Sequence, residues 1–526
     1  MVIEMDLASH PRPAGDTGIG FHWFPDTKHY SKSHLKQFGA ALKPLGAAWL
    51  VLPAEFGEGV PQDFVKELFA RSIEPVVQLQ TPFVAAVDLK ELSRVARQYA
   101  DMGVHYVFLY EQPNLRAQWT KWPGSETPTR FMELCLPTLE TLALVDNLVP
   151  LFPPLAPGGD LNDLLFLEQC LDALSAQAST NLKDKLGIAI RNNPSNLPLW
   201  WGHGGQRAWP ASEAGHCPEG SENHMGFCLY EWYHEIVTAH LGRTVLMVGV
   251  GFGPSPGDRS HEAFPALDEA LHAKCVTALA QAMMMSAEVP AYLAATVFGL
   301  LAAEDGDPFA AHRWYRADGR PVLADAIEAL KNLPKQARSV LAVPQQLSVQ
   351  MEDGNVTVMD LEEYLMGVVP QEIPTASPLE ALKAQAIAAR TFAARAVQHS
   401  RHSAAAVCTT SHCQNWSPRH YPSSTQAVRD TAGVVLSFGQ EFAGAYYFAH
   451  CDGHTRNSED VWSAALPYCR SVPCICGNAE MYGHGVGMCQ EGAIRMAQQG
   501  ALAHEILQHY YSGVRVQRAD GTSYLE

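Results

Sequence analysis

Between Gly18 and about Asn332 the chain alternates short apolar runs with longer stretches in which apolar residues recur at helical spacing. The runs are Gly18–Phe24, Ala47–Pro53, Pro75–Gln80, Tyr106–Tyr110, Val149–Phe152, Leu186–Arg191, Thr244–Val250 and Ala291–Val297. Strands that are apolar on both faces belong to a parallel sheet covered by helices. Eight of them predict an α/β fold, a TIM-like (β/α)8 barrel whose functional groups lie at the strand C-terminal ends. A doubly wound sheet would give a similar alternation.

The rhythm changes after Ala337–Pro344. Leu347, Val349 and Met351, then Val356 and Val358, follow a period of two on either side of Asp353-Gly354-Asn355, which predicts a hairpin. Asp360 is placed to cap a short helix that Gly367 ends. Glu372 follows between Pro370 and Pro374, rings that predict a stiff, non-helical mount for the carboxylate. Ser377 as N-cap, Pro378 at the first helical position and Glu380 three residues past the cap then start a helix to about Val397. Its stripe of Leu379, Leu382, Ala386, Ala389, Ala393 and Ala396 is mostly small, so a neighbour can approach closely. The pattern divides the chain into a barrel over 1–340 and an α+β domain over 345–518.

A length of 526 residues agrees with two or three domains. The net charge of -18 and the scarcity of Lys/Arg clusters exclude nucleic acid and anionic lipid as principal partners and leave a neutral or cationic polymer. Met1–Pro13 carries Glu4, Asp6 and no apolar run, so it reads as neither a secretory signal nor an anchor. The most apolar window, Met283–Ala303, is broken by Glu288 and Pro290 and reads as a barrel strand with its neighbouring helix, not a membrane span. Seven of the twelve cysteines (Cys408, Cys413, Cys451, Cys469, Cys474, Cys476, Cys489) fall in the last quarter, as disulfides or metal ligands.

The expected barrel mouth carries His22, Trp23, Glu111, Asn114, Arg191, Asn192, Glu304, Asp305 and Asp307. Aromatic and amide side chains there suit sugars. Tyr110-Glu111-Gln112-Pro113-Asn114 is similar to the Asn-Glu-Pro segment ending the fourth strand of the large barrel glycosidase clan, where the Glu is the acid/base. Tyr110 replaces the Asn, and Val248-Gly249-Val250-Gly251-Phe252-Gly253 offers no carboxylate where that clan carries its nucleophile. Retaining hydrolysis needs two carboxyl groups about 5–5.5 Å apart. The barrel is therefore expected to bind glycan through Glu111 or to act as a scaffold, not to hydrolyse.

The second domain carries a longer signature. Leu361–Pro374, Glu380–Thr391, Asn457–Trp462, Pro467–Pro473 and Gly483–Ala493 occur in unbroken order and resemble the stage II sporulation protein D / LytB family, with Cys489 where that family usually has Ser. The resemblance implies a peptidoglycan lytic transglycosylase of the cell envelope, active on glycan strands, often after an amidase has removed the stem peptides. It assigns Glu372 as the catalytic acid. One glutamate suffices for that chemistry, so Glu372 should be partly desolvated with a raised pKa. His484, Gln490 and Arg390 are candidate substrate-binding residues, each equally able to be a hydrogen-bonded structural residue. Two other readings remain: a non-catalytic enhancer of an amidase, as LytB-type relatives are described, and a barrel glycoside hydrolase with an accessory module.

His402, Cys408 and Cys413 are spaced much like the zinc ligands of some members of that family, with His412 as a fourth candidate; a Cys408–Cys413 disulfide is the alternative. Cys451, Cys469, Cys474 and Cys476 with His450 and His454 form a second group, either a metal site or two disulfides.

Overall fold

The computed structural model describes residues 10–57, 59–212, 217–285, 289–338, 341, 343–399, 402–438, 441–518 and 524. Most of the Met1–Pro13 segment, and Glu288, lie outside the described residues. The chain forms two compact units, Met1–Arg338 and Ser339–Glu526. Among the described residues no helix is long and apolar enough to cross a membrane.

The first unit is a closed parallel barrel. Its strands are β1 (Ile19–His22), β2 (Trp49–Ala54), β3 (Glu74–Leu79), β4 (Tyr106–Leu109), β5 (Val149–Phe152), β6 (Gly187–Ile190), β7 (Leu246–Gly249) and β8 (Leu293–Ala303). They pair in sequence order, and β8 returns to β1 with Gly20 opposite Val297. That closure distinguishes the barrel from a doubly wound sheet. Helices follow each strand, from Lys32–Leu45 after β1 to Ala324–Asn332 after β8 and the short strand Arg313–Arg316. Every residue of the eight strands is buried except Gln78, because a sheet covered on both faces has no solvent side. Several of the helices start on side-chain caps: Ser31, Asp88 and Asn162 each accept a bond from the first turn.

The second unit is α+β. Gln346–Gln350 and Val356–Asp360 form the expected hairpin, with Gly354 at φ 83° in its turn, and Val407–Cys408 adds a parallel strand beside Gln346–Gln350. Val435–Phe438 pairs with Glu441–Phe442 and Arg515–Gln517, and Tyr447–Phe448 pairs with Met488–Cys489. At the centre lies the alanine-rich helix Leu379–Gln398. Its small buried residues let the helices Leu361–Glu372, Pro422–Asp430, Gln490–Gln498 and Ala503–Tyr510 pack around it.

Three local expectations are corrected here. The helix capped by Asp360, whose Oδ1 accepts from Glu363 N–H at 3.1 Å, does not stop at Gly367 but runs to Glu372. Glu372 is thus the last residue of a helix and not part of an extended mount. Leu361, Tyr364, Leu365, Val368 and Val369 are buried in one cluster, and that packing holds helical geometry through Pro370 against the bias of the Val-Pro step. Gly367 serves close approach instead: a Cβ there would stand 2.3 Å from Trp416 Nε1. The alanine-rich helix begins at Leu379 with Pro378 as N-cap and no side-chain cap, because Ser377 N–H closes a turn on the Pro374 carbonyl. Glu380 caps a different helix, accepting from Ala503 N–H at 2.9 Å while its other oxygen binds Lys383 Nζ.

Candidate functional site

Glu372 ends its helix half-buried. Its Oε1 accepts from Asn415 N–H at 3.0 Å, and the Gln490 side chain donates to the same carboxylate. Burial raises its pKa above the ordinary 4.5, and these two hydrogen bonds only partly offset that shift. The carboxyl therefore stays protonated to higher pH than an exposed glutamate.

Gln414 fixes the loop that carries Asn415. Its amide donates to the Ala389 carbonyl at 3.1 Å and to Tyr447 Oη at 3.0 Å, and its oxygen accepts from Tyr364 Oη at 3.2 Å. Tyr364 is buried and Tyr447 half-buried, and desolvation of their hydroxyls, with a smaller contribution from the Glu372 charge, holds both well above the usual range. Gln490, at the start of its helix, also donates to buried Gln385 at 3.2 Å. Gln414, Asn415, Tyr364 and Tyr447 were not legible as site residues. The only signal was the adjacency of Gln414-Asn415 to Cys413.

His484 sits among Trp462, Phe448 and Tyr446, with ring centroids 5.0, 5.6 and 6.4 Å away. Its Nδ1 accepts from Val486 N–H at 3.1 Å, and burial lowers its pKa, so the ring is held neutral with the proton on Nε2. It bonds the backbone of Tyr447, the residue whose hydroxyl meets Gln414. Gly483, Gly485 and Gly487 all have positive φ, and a Cβ on Gly487 would stand 2.1 Å from the Tyr446 carbonyl oxygen. The glycines thus provide both the backbone geometry and the close approach.

Arg390 is not in a groove. It is fully buried, paired with both oxygens of Glu362 at 2.7 Å, and bonded to the Val434 and Val428 carbonyls. All its reach is spent tying the alanine-rich helix to its neighbours. Glu111 lies in the barrel unit at the end of β4, where its carboxylate pairs with Arg191 at 2.6 Å and accepts from Gln78 and Gln112. Asn114 is turned inward, holding the backbone of Ala156 and Leu161.

His402, Cys408, His412 and Cys413 come together, one ligand atom of each lying within 4.8 Å of all the others. His402 Nε2 is 3.2 Å from Cys413 Sγ, and His412 Nδ1 is 3.5 and 3.9 Å from Cys413 and Cys408 Sγ. Zinc bonds of about 2.3 Å to sulfur and 2.0–2.1 Å to nitrogen make tetrahedral edges of about 3.5–3.8 Å, so two thiolates and two imidazoles in this arrangement fit one such ion. Burial pushes the Cys408 thiol up, but bonds from Thr410 and Cys413 outweigh it and leave the pKa lowered.

The second cysteine group is redrawn. Cys451, Cys474 and Cys476 converge with Cys489, whereas Cys469 points its thiol at the Gly444 carbonyl and His450 bonds the Glu480 carbonyl.

Residues 350–438 match the family model SpoIID, stage II sporulation protein. The second unit carries a SpoIID domain. Stage II sporulation protein D of Bacillus amyloliquefaciens is 26% identical, the match covering 32% of this chain and 76% of that protein. An amidase enhancer of Bacillus subtilis is 37% identical over 20% of this chain and 14% of its own length. The chain is also similar to a monomeric β-xylosidase from Caulobacter crescentus, with 13% identity, 68% of this chain and 73% of that chain covered, and a TM-score of 0.39. The SpoIID match contains Glu372, Arg390 and all four residues of the His/Cys cluster; His484 and Gln490 lie beyond it.

Proposed function

We propose that the SpoIID domain is a peptidoglycan lytic transglycosylase with Glu372 as its only acid/base. The observation that carries this reading is a helix-end carboxyl raised by burial, bonded by Asn415 and Gln490, with no second carboxylate among the groups that shift it. Protonated Glu372 gives its proton to the departing glycosidic oxygen of a MurNAc-GlcNAc bond. Ionised, it takes the proton of the muramoyl C6 hydroxyl as that oxygen closes the 1,6-anhydro ring at C1. The acid is restored and no water is consumed. Asn415 N–H and Gln490 hold the carboxylate aimed through both steps, and neutral His484, held by the Tyr447 backbone and Val486 N–H, presents its ring to the sugar as part of an aromatic wall.

An ion held by His402, Cys408, His412 and Cys413 would have four protein ligands, the closed set of a structural zinc site, and would fix the loop leading to Asn415. The barrel binds glycan in this reading, since Glu111 is neutralised by Arg191 and the β7 end, Gly249-Val250-Gly251, supplies no partner carboxylate. The protein then acts in the cell envelope, on strands that an amidase has prepared.

The test is release of 1,6-anhydro-muramoyl products from denuded glycan strands, followed by mass-resolved muropeptide analysis, for wild type and Glu372→Gln. Equal product from the folded variant would overturn the single-acid reading. The name of the amidase-enhancer relative favours a second reading, in which both proteins release nothing alone yet both stimulate an amidase equally.

A further inference from the structure

Four cysteines outside the His/Cys cluster meet at one point. Sγ atoms of Cys451, Cys474, Cys476 and Cys489 all lie within 4.8 Å of one another, and Cys451 and Cys476 are 3.4 Å apart. They come from separated stretches of chain. Cys451 follows the strand Tyr447–Phe448, Cys489 ends its parallel partner Met488–Cys489, and Cys474 and Cys476 flank Ile475. Ile475 is 46% exposed while Cys476 is fully buried, so this segment turns an apolar side chain to solvent and brings two thiols inward. Burial of isoleucine would be the ordinary outcome. The inversion indicates that something other than apolar burial organises the loop.

The surroundings are suited to thiolates. Gly492 N–H points at Cys489 Sγ at 3.4 Å from the first turn of the helix Gln490–Gln498, and Tyr510 Oη lies 3.1 Å from Cys474 Sγ. Gly492 is required there, since a Cβ would stand 2.4 Å from Cys474 Sγ and 2.1 Å from Tyr510 Oη. Donors aimed at sulfur offset the charge of a metal-bound thiolate. They give little to a disulfide, whose sulfurs are weak acceptors.

We propose that Cys451, Cys474, Cys476 and Cys489 form a second metal site, a tetrathiolate that binds one zinc-class divalent ion. Four zinc–sulfur bonds of about 2.3 Å set sulfur–sulfur edges of about 3.8 Å, within the observed spread. A bridged iron–sulfur cluster would hold its ligand sulfurs further apart. Soft thiolates with no oxygen or nitrogen donor select a thiophilic ion over magnesium or calcium. Binding releases the thiol protons and clamps the 451–476 segment to the strand end. Cys489 is joined directly to Gln490, which donates to Glu372, so the ion is a positioning device for that donor. The metal site itself does not depend on the proposed reaction.

Metal content of the full chain, purified reduced with zinc, is the direct test. Wild type is expected to hold two equivalents. The His402→Ala/Cys413→Ser chain is expected to hold one, and its cobalt(II) form should show sulfur-to-cobalt charge-transfer absorption and intense tetrahedral bands from four thiolates. Cys451→Ser/Cys476→Ser in that background should lose the remaining equivalent. If that variant fails to fold, Tyr510→Phe serves instead, with affinity for the second ion expected to fall about tenfold in competition with a chromophoric chelator. An intact mass lowered by the hydrogens of two disulfides would overturn the proposal. So would a His402→Ala/Cys413→Ser chain that binds no metal while all four thiols alkylate in the native state.

Discussion

The backbone N–H of Asn415 donates to Glu372 Oε1 at 3.0 Å, two residues beyond Cys413 of the His/Cys cluster. The other donor to that carboxylate, Gln490, is the residue after Cys489 of the four-cysteine cluster. Each hydrogen bond to the acid thus comes from a loop or helix start with a ligand cluster at its root. A carboxyl that must give and then recover a proton needs fixed partners, because small misplacement of a reacting group is costly. Metal clamps on both flanks would meet that need without a large apolar core around the site.

Replacing Glu372 with Gln keeps the shape and removes the proton. Turnover of denuded glycan is expected to fall about a hundred- to ten-thousand-fold, the range for loss of a general acid/base. In wild type the rate should fall as pH rises through the raised pKa, since the ionised carboxylate cannot protonate the leaving oxygen. Stability follows the same sign. Burial raises the folded-state pKa above 4.5, so the contribution of Glu372 is fully present below the unfolded value and is lost as pH rises through the folded one. Urea midpoints of wild type relative to Glu372→Gln should therefore decline with increasing pH. A difference that grows with pH would contradict the burial of this carboxyl.

All eight barrel strands were legible because a buried parallel strand is a run of apolar residues, and only closure of β8 on β1 distinguished a barrel from an open sheet. Glu372 was legible as a residue but not in its geometry. The prolines at 370 and 374 predict extended backbone, yet burial of Leu365, Val368 and Val369 carries the helix to Glu372 itself. His402, Cys408, His412 and Cys413 lie within twelve residues, so spacing could find them. Cys489 was missed as a partner of Cys451 because parallel pairing of Tyr447–Phe448 with Met488–Cys489 brings together segments some forty residues apart. For Arg390 both a groove and a buried hydrogen-bonded role were open in the sequence, and its carboxylate, Glu362, which packs against it from another helix, decides for the buried one.

Cys413→Ser is expected to remove one equivalent of metal and loosen the loop that bears Gln414 and Asn415. A ligand present at a thousandfold its Kd stabilises the state that binds it by about 4 kcal/mol, so chelation should lower the apparent stability of wild type by more than that of Cys413→Ser, the difference being of that size because the variant has only the four-cysteine site left to empty. Thermal melts with and without chelator read this directly. Amide exchange at Asn415 should quicken in the variant, because its bond to Glu372 depends on the loop.

Arg390→Ala leaves Glu362 facing a buried gap and exposes the Val428 and Val434 carbonyls to an unfilled cavity. Removing one partner of a buried pair costs about 3–5 kcal/mol; the Glu362 side chain is 29% exposed, so water takes up part of its charge and urea unfolding should show a loss toward the lower end of that range. Arg390→Lys should recover only part, since an ammonium cannot repeat the two-pronged contact with Glu362. Unchanged stability with weakened glycan binding would restore Arg390 to the substrate groove.

Gly367→Ala tests how the helix below Glu372 is packed. The added methyl would stand 2.3 Å from Trp416 Nε1 and 2.5 Å from the Ser417 carbonyl oxygen, too close for either to remain in place. Ser417 N–H also donates to the Gly367 carbonyl at 3.2 Å, so the loop is bonded to the helix at the very point the methyl would enter. Overpacking of this kind costs about 1–3 kcal/mol. Trp416 follows Asn415 in the chain, so relief by moving the indole should also draw the Asn415 N–H away from Glu372. Glycan turnover is therefore expected to fall by more than the loss of folded protein accounts for, whereas an equal fall in both would mean that the loop yields without disturbing the acid.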